Sequence, residues 1–144
     1  MRKGRLRICV VDGLGGRIGA ALIKRIREAY GEVFEIIGLG VNAVATAQML
    51  KARADRGATG EDAIITTVPT ADMVLGTISI ILANAMMGEV TPKIASAIAS
   101  APARKILLPL TQERLEIAGL TPEPLPHLVE MVVTKLLQEV PTDV

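Results

Sequence analysis

Ile8-Cys9-Val10-Val11 are four apolar positions in a row, and with Leu6 they predict a strand over residues 6–11 covered on both faces. Asp12-Gly13-Leu14-Gly15-Gly16-Arg17-Ile18-Gly19 follows at once. Then the period changes to that of a helix. Ile18, Leu22, Ile26 and Ala29 fall on one face, with Lys24, Arg27 and Glu28 away from it, and Gly31 stops the run. Residues 33–39 predict a second strand. Asn42 can cap a helix in which Ala43, Ala47, Leu50 and Ala54 line one side, with Gly57 closing it. Residues 63–68 predict a third strand, ended by Pro69, and residues 72–75 a fourth that enters a helix near 77–87. Thr91-Pro92 pairs a capping residue with a first-turn proline. Ile94, Ile98 and Ala101 form the buried stripe of that helix, and Pro102 prevents it continuing. A fifth strand is predicted at 104–110 and a sixth at 115–120. Pro124 and Pro126 introduce a last helix whose Leu128, Val132 and Leu136 share a face.

Strands that alternate with helices imply a parallel sheet, because a parallel crossover needs a helix to return the chain. The expected architecture is three-layer α/β and Rossmann-like, with strand order 3-2-1-4-5. The flavodoxin-like order 2-1-3-4-5 is the alternative. A length of 144 residues points to a single domain over 1–144.

Half the residues are hydrophobic, yet Tyr30 and Phe34 are the two aromatics, so the core must be built from aliphatic side chains and methionine. A net charge of +1 gives no electrostatic case for nucleic acid. Arg2, Lys3, Arg5 and Arg7 read as a solvated basic tail. Cys9 is the single cysteine, which excludes an internal disulfide and a Cys-rich zinc site. Inside a strand, a small buried thiol is its expected role. The basic start leads into too short an apolar run for a secretory signal, so the expected location is the cytoplasm. Residues 73–87 are interrupted by Thr77, Ser79 and Asn84 and fall short of the roughly 20 apolar residues of a membrane span. The apolar content of residues 73–101 suggests a homodimer or larger assembly.

Gly13, Gly16 and Gly19 are three apart, with Gly15 extra. Glycines at a strand-to-helix turn can adopt positive φ, bring bare backbone up to a phosphate and let the helix pack close to the sheet. The helix N-terminus then offers free N–H donors and partial positive charge. The expected ligand is a nucleotide or dinucleotide, with NAD(P) or another nucleotide as cofactor. The acid expected about 20 residues beyond such a loop to hold a ribose is missing, since Gly38-Leu39-Gly40-Val41-Asn42 holds none. Asn42 can hydrogen-bond a ribose or base, or cap a helix. Asp12 can bind a ribose or metal, or cap the loop amides. Gly76 and Thr77 end the fourth strand, where a small residue leaves room and a hydroxyl can donate to a ligand. The alternative for them is a plain turn.

The stretch Val11 to Gly19 resembles the coenzyme loop of dihydrodipicolinate reductases, in which Gly-x-x-Gly-Arg-Met-Gly lies on NAD(P)H. Gly16-Arg17-Ile18-Gly19 matches its second half, and the resemblance makes Arg17 a phosphate contact. It covers about a dozen residues. The catalytic histidines of that family have no counterpart, since His127 is the one histidine. Over nearly its whole length the chain resembles an uncharacterised family of short bacterial proteins. The shared segments are Asp12-Gly13 through Gly19, Gly40-Val41-Asn42-Ala43-Val44-Ala45-Thr46, Arg56-Gly57-Ala58-Thr59-Gly60-Glu61, Ala83-Asn84-Ala85-Met86-Met87-Gly88-Glu89-Val90-Thr91-Pro92 and Leu107-Leu108-Pro109-Leu110. This resemblance implies a small Rossmann-like domain and carries no reaction.

The binding residues expected are therefore Asp12, Gly13, Gly15, Gly16, Arg17, Gly19, Asn42, Gly76 and Thr77. His127 reads as a solvated imidazole at a helix start. No metal cluster, Ser–His–Asp set or carboxylate pair stands out. Three functions remain open: a nucleotide-binding sensor or accessory subunit, a small NAD(P)-dependent oxidoreductase completed by a second subunit, and a partner-binding protein without a small ligand.

Overall fold

The computed structural model describes residues 4–140. Its elements run β1 (Arg7–Asp12), α1 (Arg17–Tyr30), β2 (Glu35–Gly40), α2 (Ala43–Lys51), β3 (Arg56–Thr59), α3 (Glu61–Thr67), β4 (Met73–Thr77), α4 (Pro92–Ser100), β5 (Arg104–Leu108) and α5 (Leu125–Leu136). Short 3-10 turns at Val68–Thr70, Ile78–Ile81 and Leu137–Glu139 join or extend them. The strands form one sheet in the order β3-β2-β1-β4-β5, and every pairing is parallel. This is the expected Rossmann-like order, and the flavodoxin-like alternative is excluded.

Side chains alternate across the sheet, as the period of a strand demands. Ile8 and Val10 of β1 join Leu22, Ile26, Met49, Leu128 and Val132 on the face covered by α1, α2 and α5. Cys9 and Val11 join Ile37, Leu39, Ile64, Ile94 and Ile98 on the face covered by α3 and α4. Cys9 is fully buried, and burial pushes its thiol up to about 12.

The third strand lies earlier than the sequence pattern suggests. Residues 63–68 fall in α3 and the turn after it, where Ile64 and Val68 are the buried pair. Their spacing of four is that of a helix face, and it outweighs the β-branched composition of the run. β3 itself is a four-residue edge strand, largely exposed, so no apolar run marks it.

Residues 77–87 do not form the expected helix. After Ile78–Ile81 the chain turns through positive φ at Asn84, Met86, Met87 and Gly88. Residues 115–120 form no sixth strand, and Leu115, Ile117 and Leu120 are exposed. Helix α2 ends at Lys51 rather than near Gly57, which belongs to β3. It buries Ala45, Thr46 and Met49 instead of the face through Ala43, Ala47, Leu50 and Ala54. Ala29 of α1 is exposed, whereas Ile18 is half-buried and Leu22 and Ile26 are buried.

Arg27 was expected on the solvent side of α1 but is buried, because each guanidinium nitrogen has a partner. It donates to the carbonyls of Arg53 (2.9 Å), Phe34 (3.1 Å) and Gly31 (3.2 Å), and to the Asp55 carboxylate (2.9 Å). Arg5 and Arg7 are not a free tail either. Arg5 pairs with Asp55 at 3.5 Å, and Arg7 bonds Glu35 at 2.8 Å from within β1. Arg2 and Lys3 lie outside the described residues. The apolar residues of 73–101 are largely taken up by the core, among them Met73, Leu75, Ile80, Val90, Ile94 and Ile98, and Met87 is the large apolar side chain left in solvent. Among the described residues, no helix is long and apolar enough to cross a membrane.

Candidate functional site

Strand order reverses between β1 and β4, because β1 leads outward to β2 and β3 while β4 leads outward to β5. A crevice forms beyond the carboxyl ends of the strands at such a point. Here it holds a cavity of about 420 Å³. Asp12, Gly13, Leu14, Arg17 and Ile18 form one wall, and Thr77 and Ser79 stand at the end of β4. Met86, Leu110, Thr111, Gln112 and Leu125 complete the lining. The cavity combines aliphatic walls with one arginine, the Asp12 carboxylate, three hydroxyl residues and a glutamine. Ligand sites commonly pair apolar walls with a few placed polar groups.

The strand-to-helix turn is built around Asp12, which is buried at the end of β1. Its Oδ1 accepts the Gly13 amide at 2.7 Å and its Oδ2 accepts the Gly19 amide at 2.6 Å. Burial pushes the carboxyl up from its ordinary value, against the pull of the Gly19, Gly13 and Ile18 amides. Helix α1 has no side-chain cap at Gly16, so Asp12 reaches across from the strand to do that work. Among the described residues no acceptor pairs with the amides of Leu14, Gly15 or Arg17. Leu14 and Gly15 both have positive φ, and the space beside Gly15 is open. The exposed Arg17 opens α1 next to them.

The expected site residues do not all meet the cavity. Asp12, Gly13, Arg17 and Thr77 line it, while Gly15, Gly16, Gly19, Asn42 and Gly76 do not. A Cβ on Gly16 would lie 2.7 Å from the Cα and carbonyl oxygen of Ala45, so this glycine lets α2 press against the loop. A Cβ on Gly19 would meet Met49 Sδ at 2.8 Å, which is close helix packing. The space Gly76 leaves is filled by the Val11 carbonyl and Ile80. Asn42 caps α2 by accepting the Ala45 amide at 2.9 Å, and its side-chain amide donates to Glu89 at 3.0 Å.

Residues 7–141 match the model of DUF3842, a domain of unknown function. The chain belongs to that family. No curated protein matches it. The family covers nearly the whole sequence, in line with the long resemblance read from its shared segments, and the Rossmann-like parallel fold is the framework on which those segments sit.

Sequence reasoning missed Leu14, Ile18, Ser79, Met86, Leu110, Gln112 and Leu125 as cavity walls. Thr111 had a signal, since it follows the end of the fifth strand. Ser79 donates to Thr111 at 2.7 Å, which ties the ends of β4 and β5 together. Met86 had none, because its place depends on a turn that carries no helix or strand period. His127 lies away from the cavity, exposed and bonded to Glu123 at 2.8 Å. Among the described residues, no group of histidine, cysteine or carboxylate side chains could hold a metal ion.

Proposed function

We propose that this chain binds a phosphate-bearing small molecule of the nucleotide class in the crevice between β1 and β4. The observation that carries the reading is the cavity itself. It lies at the strand-order reversal, with the glycine loop as one wall. The amides of Leu14, Gly15 and Arg17, which have no acceptor among the described residues, lie in that loop, and Arg17 lines the same wall. Phosphate oxygens suit such donors, since a guanidinium and oriented backbone N–H groups complement spread negative charge. Thr77, Ser79 and Thr111 supply hydroxyls for a sugar, and Leu14, Ile18, Leu110 and Leu125 supply flat apolar contact for a base. The likeness of Gly16-Arg17-Ile18-Gly19 to a reductase coenzyme loop supports the same class.

Thermal shift against NAD, NADP, ATP, GTP, FMN and S-adenosylmethionine tests this reading. A ligand at 100 times its dissociation constant adds about 2.7 kcal/mol to stability. At least one of the six is expected to raise the melting temperature, and Arg17→Ala is expected to abolish most of that rise while leaving the unliganded melting temperature unchanged. No shift with any of them overturns the proposal in favour of a partner-binding protein.

A further inference from the structure

We propose that the ligand stops at the glycine loop, so that the site takes a mononucleotide and excludes a dinucleotide. This rests on the nucleotide reading above and narrows it. A dinucleotide lies across the reversal point of such a sheet, with one half on each side of the loop. The cavity described above lies on one side of the loop. Its walls come from the ends of β1, β4 and β5 and the start of α5, and no residue between β2 and α3 lines it. The other half would have to cross from the glycine loop to the end of β2, past Val41 and Met86.

A Cβ built on Gly13 would lie 2.5 Å from Val41 Cγ2 and 2.6 Å from Met86 Sδ. Gly13 therefore makes room for two side chains of the same protein, Val41 from just past β2 and Met86 from the loop after β4, between the glycine loop and the end of β2. Met86 is buried, although it comes from a connecting loop. That loop is built to hold it. The Asn84 amide donates to the Val90 carbonyl at 2.6 Å, and the Val90 amide donates back to Ala85 at 3.0 Å. The Gly88 amide donates to Asn84 and the Glu89 amide to Met86, both at 3.1 Å. Met86 and Met87 hold positive φ inside this turn, a backbone state that persists only where its surroundings fix it. Glu89 then bonds the Asn42 side chain at 3.0 Å, across the end of β2 where the second ribose would need a partner.

The test measures binding of AMP and FMN against the dinucleotides that contain them, NAD and FAD, by calorimetry on the full chain. The wild type is expected to bind at least one mononucleotide, with the matching dinucleotide ten-fold or more weaker. Met86→Ala is expected to shrink that gap to about three-fold or less. Glu89→Ala, at an exposed position away from the core, is expected to shrink it in the same direction without lowering the melting temperature, and it decides the matter where Met86→Ala fails to fold. A dinucleotide bound by the wild type as tightly as its half, or a gap that neither variant narrows, overturns the inference and leaves the nucleotide reading standing. Weaker dinucleotide binding in Glu89→Ala overturns it too, because Glu89 would then be holding the ribose. Failure of all four compounds to bind the wild type overturns this inference, and the nucleotide reading falls with it where none of the six compounds of the thermal screen raises the melting temperature either.

Discussion

The carboxylate of Asp12 accepts the Gly19 amide at 2.6 Å, joining the last residue of β1 to the first turn of α1. Its other oxygen accepts Gly13 at 2.7 Å. The chain thus places its own anion where nucleotide folds of this order leave helix donors for phosphate. Among the described residues, the amides of Leu14, Gly15 and Arg17 are the loop donors that this carboxylate leaves without an acceptor.

Asp12→Ala removes an acceptor from two buried amides. Leaving such donors unsatisfied costs about 1–3 kcal/mol each at most, so a loss of stability of about that size is expected for the pair. Urea denaturation measures it, and an unchanged midpoint would refute the structural role. Asp12→Asn keeps one acceptor and removes the charge beside the cavity. It is expected to lose less stability and to bind an anionic ligand several-fold more tightly by calorimetry.

Gly16 and Gly15 are adjacent, and both have positive φ, but they respond differently to a side chain. A Cβ on Gly16 meets the backbone of Ala45, which cannot move without shifting α2, whereas a Cβ on Gly15 meets nothing within 4 Å. Gly15→Ala is expected to lose about 1–2 kcal/mol through backbone strain alone. Gly16→Ala is expected to lose clearly more. Equal melting temperatures for the two variants would contradict the close approach of α2.

Acid is expected to destabilise the fold through Glu35 and Asp55. The Arg7 hydrogen bond holds the Glu35 carboxyl below its ordinary value, with further help from Arg56. Burial alone would raise Asp55, but the Ile36 amide, Arg27 and Arg5 together outweigh it and hold it low. A carboxyl held low in the folded state binds its proton more readily when unfolded. The stability it adds is therefore complete above the ordinary value near 4 and is lost as pH falls through the lowered one. Urea midpoints measured from pH 7 down to pH 3 should fall steeply below about pH 4, and Glu35→Gln should flatten that fall. A midpoint independent of pH in this range would refute the assignment.

Self-association is the expectation from residues 73–101, but in the folded chain the core takes up most of their apolar side chains. Leu115, Ile117 and Leu120 are 38%, 42% and 54% exposed on the loop before α5, beside Leu110 and Thr111 at the cavity edge. We propose that a second copy covers them. Light scattering at micromolar concentration is expected to show a dimer or larger, and Ile117→Asp to reduce it to a monomer. A monomeric wild type removes the idea.

The strand-loop-helix of β1 and α1 was legible because apolar runs, glycines and a 3.6 period follow one another without a break. The caps of α2 and α4 were legible for the same local reason. Asn42 bonds the amide of Ala45, and Thr91 that of Ile94, each three residues on. β3 was not legible, since Arg56–Thr59 is a largely exposed edge strand and the β-branched run after it belongs to a helix. Half the cavity was equally hidden, because Leu110, Gln112 and Leu125 sit in or beside a long loop without period.

Local order in the sequence was enough for β1, β2, β4 and β5, for the helices α1, α2, α4 and α5, and for the position of the glycine loop. Those features depend on side-chain period and on capping contacts a few residues apart. The choice between the two sheet orders came from the pairing of distant strands. What surrounds the loop came from packing across the whole chain. Asn42 meets Glu89 although 47 residues separate them, and Gly13 meets Val41 and Met86. No periodic signal encodes such contacts. They exist because the sheet brings the ends of distant strands together and the turn at 84–90 folds back across them.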